Sequence, residues 1–190
     1  MKLDWEAVDE IGMGGGFADL PNGGYVCKVL DVYEVPDYTT NAGEKCTQVK
    51  VSWDVAEGEN ADFFTSNEKP DWTHEVEFYV VDDIDSISGN RRWLFERWGK
   101  FLASVKMSND TAKVTSTDKL VGLLFGATVR HRLYTKKSGE DGSTVELQTY
   151  YSTDYIRDGK FKEPTDRDQR QAAPPKQAAN KGYDDAEIPF

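Results

Sequence analysis

Apolar and polar side chains alternate along several short stretches of the chain. Thr47–Ala56 carries apolar residues at every second position from Val49 onward, and His74–Val81 repeats this period. Period two is typical of a strand that buries one of its faces. Tyr25–Val35, which is rich in Val and Tyr and stops at Pro36, completes a set of three predicted strands.

A longer segment has a different period. In Arg91–Lys106 apolar residues recur at helical spacing and leave basic residues for the solvent, so the pattern predicts an amphipathic helix. Two more alternating segments follow at Leu124–Tyr134 and Thr144–Tyr155. Because the intervening residues 136–142 are charged, Ser or Gly, we expect these two strands to form a hairpin.

The order of these elements predicts the fold class. Three strands, one helix and two further strands indicate a mainly β domain, a five-stranded OB-fold barrel with one helix before the closing hairpin. A small mixed barrel of another type stays open as an alternative. We expect a flexible leader at residues 1–18, the OB-fold domain at 19–161, a disordered linker rich in Pro, Gln and Ala at 162–182, and an acidic tip at 183–190 that ends in apolar residues.

Length and composition exclude several classes of protein. The 190 residues are enough for one domain with an appendage. No run approaches ~18 apolar residues, so we expect no membrane span. The first six residues lack the basic and apolar regions of a secretory signal, which predicts a cytoplasmic protein. Two cysteines and two histidines are too few for a disulfide framework or a zinc site, and we expect neither a metal nor another cofactor.

The net charge of −11 argues at first against a nucleic-acid ligand, because phosphate binding requires Lys and Arg. The distribution of charge along the chain changes this view. Residues 51–90 hold eleven acids and one base, whereas residues 91–137 hold eleven bases and three acids. This asymmetry indicates a basic surface on an otherwise acidic protein. A solvated helix face with lysines at strand ends explains the asymmetry equally well.

The predicted hairpin carries the candidate binding surface. A register that places Leu133 opposite Leu147, and Val129 opposite Tyr151, joins the two apolar faces. The other face then brings bases and aromatic rings together, through the pairs Arg130 with Tyr150, Arg132 with Gln148 and Tyr134 with Glu146. Cations that follow phosphates and rings that stack on unpaired bases are typical of single-stranded nucleic-acid binding. Alternatively, these residues simply cover a solvent-facing sheet.

Other residues extend this predicted DNA-binding surface. They lie in the hairpin loop, in the loop between the first two strands, on the second strand and in a polar loop: Lys136, Lys137, Tyr38, Lys45, Lys50 and Trp72. The tryptophans Trp53, Trp93 and Trp98 fit apolar stripes instead, so we expect them in the core.

The sequence predicts no catalytic residues. Gly12–Phe17 is rich in glycine like a phosphate loop, but Phe17 stands where a dinucleotide fingerprint requires Gly, and no Gly-Lys-Ser/Thr follows. His131 falls on the apolar face of its strand, which indicates a core position. A magnesium-dependent nuclease would have to use the acids of the third strand and the loop after it, Glu75, Glu77, Asp82, Asp83 and Asp85.

The end of the chain resembles a known family. Asp184–Phe190, in which acids lead into Ile-Pro-Phe, closely resembles the C-terminal tip of bacterial and bacteriophage single-stranded DNA-binding proteins. The body looks more like the diverged phage and prophage members, at Leu20–Tyr25 and at Trp98–Leu102. The resemblance implies a partner-binding tip formed by Asp184, Asp185, Glu187, Ile188, Pro189 and Phe190.

The resemblance also implies a function. We expect a protein without catalytic activity that binds and protects single-stranded DNA, without strong sequence preference, during phage DNA replication, recombination or repair. Its tip would recruit the replication, recombination or repair enzymes. Two alternatives stay open, an interaction adaptor of the replication machinery that does not bind DNA and a metal-dependent nuclease. The sequence leaves the oligomeric state open.

Overall fold

The computed structural model describes residues 20–69, 73–87, 91–110 and 114–170. Its strands are β1 (Gly23–Thr39), β2 (Lys45–Val55), β3 (Glu75–Val80), β4 (Leu124–Thr135), β5 (Asp141–Tyr151) and β6 (Arg167–Asp168). Its helices are α1 (Phe63–Ser66), α2 (Arg92–Ser108) and α3 (Thr153–Arg157), with 3₁₀ turns at Ile84–Ser86 and Thr117–Leu120. The mainly β prediction is confirmed. None of the described helices is long and apolar enough to cross a membrane.

All six strands belong to one sheet. Five of them follow the order β3-β2-β1-β4-β5 with antiparallel neighbours, and β6 pairs with β4 in parallel. Within the described part of the chain, β3 and β5 stand at the two ends of this order and do not pair. The sheet is therefore open, and the closed barrel of the prediction is not confirmed.

One face of the sheet forms the core together with α2. The apolar half of the alternation predicted for β2 is confirmed, because Val49, Val51 and Trp53 are almost fully buried. The other face is not uniformly exposed, since Gln48 and Asp54 are buried as well. The Phe101 ring of α2 lies between two strands, with its centroid 5.0 Å from that of Phe78 and 5.2 Å from that of Phe125. Aromatic packing thus joins the helix to both halves of the sheet.

Polar side chains also attach α2 to the sheet. Ser104 Oγ accepts a hydrogen bond from Gly126 N at 3.2 Å. At the end of the helix, Asn109 Nδ2 donates to the carbonyl oxygens of Val105 and Leu124, both at 2.7 Å, and its Oδ1 accepts from Leu124 N at 3.0 Å. The same amide therefore ends α2 and begins β4, which fixes the helix relative to the hairpin.

The β4–β5 hairpin forms, but the register predicted for it is wrong. Val129 pairs with Leu147 and not with Tyr151, a shift of four residues. The loop is shorter than expected, because Lys136 N donates to Glu140 O at 2.8 Å and closes it directly after Thr135. Gly139 has a φ of 87°, a conformation that glycine adopts without steric cost, and this tight loop sets the register.

A β-bulge in β5 changes which side chains face the core. Thr128 pairs with Thr149 whereas Val129 pairs with Leu147, so Gln148 is the extra residue. Because successive side chains point to opposite faces, one extra residue moves Tyr150 opposite Ala127, on the buried face. The sequence predicted that Tyr150 and Arg130 share a face of the hairpin. They do not, because Tyr150 pairs with Ala127.

The first residues of the predicted linker lie on the sheet. Gly24 leaves space for Phe161, whose Cε1 would stand 2.4 Å from a Cβ at that position. Pro164 is buried, and Gln169 N donates to Leu133 O at 2.8 Å next to the pairing of β6 with β4. Residues 161–170, the C-terminal strap, thus find partners on the domain, and nine of them, 162–170, belong to the predicted linker.

Several predicted segments lie outside the described residues. They are the leader 1–18, Trp72, the remainder of the predicted linker at 171–182, and the tip 183–190.

A buried carboxylate holds the loop between β2 and β3. Asp54 is fully buried. Its Oδ1 accepts from Phe64 N at 3.0 Å, and its Oδ2 accepts from Thr65 N at 2.9 Å and from Thr65 Oγ1 at 2.6 Å. These donors belong to the first turn of α1, so Asp54 supplies the acceptor that the helix itself cannot provide.

Replacing Asp54 should destabilise the domain. Asp54→Ala leaves buried N–H groups of α1 without an acceptor, and we expect the free energy of unfolding to fall by about 3 kcal/mol. Urea unfolding measures this loss. The exposed Glu59 lies in the same loop, and Glu59→Ala should change stability by less than about 0.5 kcal/mol. Equal effects of the two substitutions would contradict this role of Asp54.

Candidate nucleic-acid interface

The solvent-facing side of the hairpin carries two of the predicted bases. Arg130 pairs with Glu146 across the strands, and Arg132 pairs with Thr144. Arg130 Nε and Nη2 each lie 2.7 Å from Glu146 Oε1, in a half-buried ion pair. Arg132 is exposed and has no described carboxylate within ion-pair distance. Arg132 therefore presents its full charge to the solvent, whereas the charge of Arg130 is shared.

Tyr134 lies further along the same face of β4. It pairs with Gly142, and a Cβ at that position would stand 2.7 Å from Tyr134 Cζ. Because Gly142 has no side chain, the tyrosine ring packs over it and is half-buried on the hairpin. In the loop beyond it, Lys136 Nζ lies 3.7 Å from Glu140 Oε2, and Lys137 is exposed.

Two further residues, predicted in the loop between the first two strands, lie instead at the strand ends that flank this loop. Tyr38 is half-buried and stacks on Tyr79 of β3, with ring centroids 5.8 Å apart. Lys45 is exposed at the first position of β2, opposite Thr39. The ring of Tyr38 is therefore already engaged by another aromatic side chain, whereas Lys45 forms no ion pair with the residues that the structure describes.

Lys50 lies among acids. Its Nζ is 3.0 Å from Glu75 Oε1 and 3.3 Å from Glu77 Oε1, and the hydrogen bond to Glu75 raises the pKa of this lysine. Two carboxylates surround one ammonium group, so this surface does not attract a phosphate. As the polar alternation of β3 predicts, Glu75 and Glu77 share one face.

Tyr150 packs in the core and not on the hairpin surface. Its ring lies near Phe78, Phe101 and Phe125, with centroids 5.7 to 6.4 Å apart. The hydroxyl is buried, and no hydrogen bond of regular geometry reaches it from the residues that the structure describes. Burial raises the pKa of Tyr150 to about 12, although nearby Arg97 opposes this rise. The expectation that Tyr150 offers its ring on a solvent-facing surface is wrong, because the bulge at Gln148 turned it inward.

The structure reveals a groove that sequence reasoning missed. It lies between α2 and β5 and has a volume of about 270 Å³. Its lining includes four bases, one acid and one exposed indole, namely Arg97, Lys100, Arg130, Arg167, Glu146 and Trp93. We call it the β5 groove. Basic side chains outnumber acidic ones in this groove, whereas acidic side chains outnumber the one lysine around Lys50.

Trp93 is the exposed aromatic residue of this groove, and Tyr150 also lines it. Trp93 was predicted to lie in the core, but 55% of its surface is exposed. Trp93, Arg97 and Lys100 lie on one face of α2, at spacings of four and three residues. This spacing was visible in the sequence. No sequence pattern pointed to Arg167, because it falls in the segment predicted to be disordered.

A larger cleft of about 530 Å³ continues the groove toward β3. The two share Arg97, Glu146 and Leu147. Bases and acids are equally represented in this cleft, which is lined by Lys50, Arg97, Arg132, Glu75, Glu77 and Glu146. The excess of positive charge is therefore concentrated at the β5 groove and along the hairpin.

The acids considered for a metal site have other contacts. Glu75 and Glu77 pair with Lys50, Asp83 accepts a hydrogen bond from Asp85 N at 2.9 Å, and Asp85 lies 3.0 Å from Arg92. In the described ranges, no group of three or more His, Cys, Asp or Glu side chains is arranged to hold a metal ion. His131, predicted in the core, is half-buried with Nε2 3.0 Å from Leu20 O.

The comparisons with known proteins add no relative. No protein-family model matches the chain, and a search of curated proteins returns no significant match.

The position of Tyr150 has a measurable consequence at high pH. A folded-state pKa of about 12 lies above the ~10 of an unfolded tyrosine. The burial of Tyr150 therefore favours the fold below pH ~10, and this contribution is lost as the pH rises toward 12. We expect spectrophotometric titration to show one late tyrosine that disappears in Tyr150→Phe. If this substitution removes a group that titrates near 10, the ring is exposed instead.

Proposed function

We propose that this protein binds single-stranded DNA without strong sequence preference and protects it during phage DNA replication, recombination or repair. The observation that carries this proposal is the β5 groove, where Arg97, Lys100, Arg130 and Arg167 surround an exposed tryptophan. On a chain with a net charge of −11, such a concentration of bases provides a local site for phosphates.

The binding mode follows from the two kinds of side chain. Arg and Lys neutralise phosphates and release their counterions, and an exposed indole stacks on any unpaired base because every base has a π face. A duplex hides these faces, so the site favours single strands. Arg132 and Lys137 extend the positive surface along the hairpin. No step in this function requires catalysis, a metal or another cofactor.

We infer that the sheet is a variant of the OB fold. Three meandering strands, a helix and a closing hairpin support this assignment, and α2 packs between Phe78 of β3 and Phe125 of β4. The OB fold is a partly open barrel. Here, among the described residues, β3 and β5 do not pair with each other, and a closed barrel would join these two strands. Leu94 and Arg97 of α2 line the cleft between them.

We further propose that the tip recruits replication, recombination or repair enzymes in the cytoplasm of a bacterial host. The resemblance of Asp184–Phe190 to the family tip supports this part of the proposal. An aromatic residue fits an apolar pocket with a basic rim, and the preceding acids steer its approach.

A second candidate is an adaptor that binds proteins and not DNA. The observation in its favour is an apolar groove of about 480 Å³ on α2, lined in part by Val80, Ile84, Phe95 and Trp98. Apolar grooves of this kind accept protein segments. Binding to oligo-dT separates the two candidates, because an adaptor without a DNA site shows none.

Binding to oligo-dT should depend on salt and on the exposed bases. We expect log affinity to fall linearly with log salt, by ~0.7 per phosphate neutralised. Arg132→Ala should reduce this slope by ~0.7 and weaken binding several-fold at low salt, since one phosphate contact is lost. Fluorescence anisotropy of a labelled oligonucleotide measures both quantities.

Two controls accompany this measurement. Lys106→Ala removes an exposed base from the last turn of α2 and should leave affinity unchanged, and a duplex of the same length should bind much more weakly. Equal affinity for duplex and single strand, or a flat salt response, would count against the proposal.

The tip should affect partners and DNA in different ways. Deleting Asp184–Phe190 removes three acids and the apolar end, so partner binding should disappear while DNA affinity stays constant or rises at low salt. Phe190→Ala keeps every acid and should abolish partner binding alone, because aromatic anchors concentrate binding energy. A pull-down of replication and recombination proteins compares the three forms. Retention of the same partners by all of them would show that the tip is not a docking motif.

A further inference from the structure

We propose that the β5 groove binds a single nucleotide unit of the strand, with the base against Trp93 and the phosphate at Arg130, in place of Glu146. This inference rests on the proposed function and assigns its central contact to one location. The groove has a volume of about 270 Å³, close to the lower end of small-molecule pockets, ~300 Å³. A groove of this size suits one nucleotide unit.

The exposed indole supplies the surface for the base. Trp93 is 55% exposed at the start of α2, although tryptophan is a large apolar side chain that usually buries most of its area. Arg97 and Lys100 follow on the same face of the helix and line the same groove. A base that stacks on Trp93 thus brings its phosphate within the field of two cations on a rigid element.

Glu146 occupies the position that we assign to the phosphate. Its Oε1 lies 2.7 Å from Arg130 Nε and Nη2, and its Oε2 lies 3.9 Å from Arg167 Nη1. Two guanidinium groups therefore converge on one carboxylate at the groove. A phosphate offers the same kind of acceptor to these donors. In the free protein Glu146 holds the arginines in place, and it competes with the strand for them.

A tyrosine hydroxyl lies at the floor of the groove. Tyr150 lines the groove, and among the described residues its buried hydroxyl makes no hydrogen bond of regular geometry, although Arg97 lies close enough to lower its pKa. Buried polar groups are almost always paired. A polar ligand in the groove would offer this hydroxyl a hydrogen-bond partner.

The competition gives two substitutions opposite effects on affinity. Trp93→Ala removes the stacking surface and should weaken binding of a labelled oligo-dT about tenfold. Glu146→Gln removes the competing charge, keeps the size of the side chain and should tighten binding several-fold. Neither should change the melting temperature by more than a few degrees, because Trp93 is exposed and the amide of Gln still accepts from Arg130.

Matched controls remove trivial explanations. Met107→Ala truncates another exposed apolar side chain of α2. Glu57→Gln makes the same change in net charge at a carboxylate that pairs with Arg157. Both controls should bind oligo-dT like the unchanged protein. In addition, an iodouracil-substituted oligonucleotide should crosslink on irradiation to the peptide that contains Trp93.

The outcomes separate this inference from the proposed function. If the unchanged protein does not bind oligo-dT, both fail. If it binds, but Trp93→Ala matches Met107→Ala or Glu146→Gln matches Glu57→Gln, the strand takes another path, so the inference is overturned and the proposed function stands. Crosslinking to peptides without Trp93 overturns it in the same way. Opposite shifts of the two variants, with the crosslink at Trp93, support it.

Discussion

The extra residue in β5 is the constraint on which the rest of the hairpin depends. Because Gln148 interrupts the pairing with β4, the residues before it and after it point to opposite faces. Glu146 therefore meets Arg130 on the solvent side, while Tyr150 enters the aromatic core beside Phe101. Without this bulge the tyrosine would leave the core. One backbone irregularity thus builds the core and the basic groove at the same time.

The distribution of ion pairs explains how an acidic protein keeps a basic site. On β2 and β3 a lysine is surrounded by two glutamates, and on α3 Arg157 is held by Glu57 and Asp154. Carboxylates neutralise these bases locally. Along β4 and the β5 groove the balance is reversed, because among the described residues Arg130 and Arg167 share one carboxylate, that of Glu146. The net charge of the chain is therefore a poor guide to the charge of a ligand that it can bind. The local ratio of bases to acids at a surface is a better guide.

Local patterns predicted the elements better than the contacts between them. Period two found β2 and β3, and helical spacing found α2, because each pattern reflects burial of one face by neighbouring residues. The hairpin register escaped prediction, since apolar residues matched in more than one alignment and the bulge has no sequence signal of its own. Trp93 was misplaced for a related reason. Its apolar character fitted the stripe, but the buried position belongs to Phe95, two residues later and on another side of the helix.

The C-terminal strap has a consequence for the solubility of the domain. β1 pairs with β4 only as far as Val129, so the backbone of β4 beyond it would present unpaired N–H and C=O groups on that side. Two of these positions, Arg132 and Leu133, are covered by β6, and Gln169 bonds to Leu133. An uncovered strand of this kind is a template on which further chains can add. The strap thus acts as a cap against edge-to-edge aggregation, and a chain shortened to residue 161 would lose this protection along with Arg167.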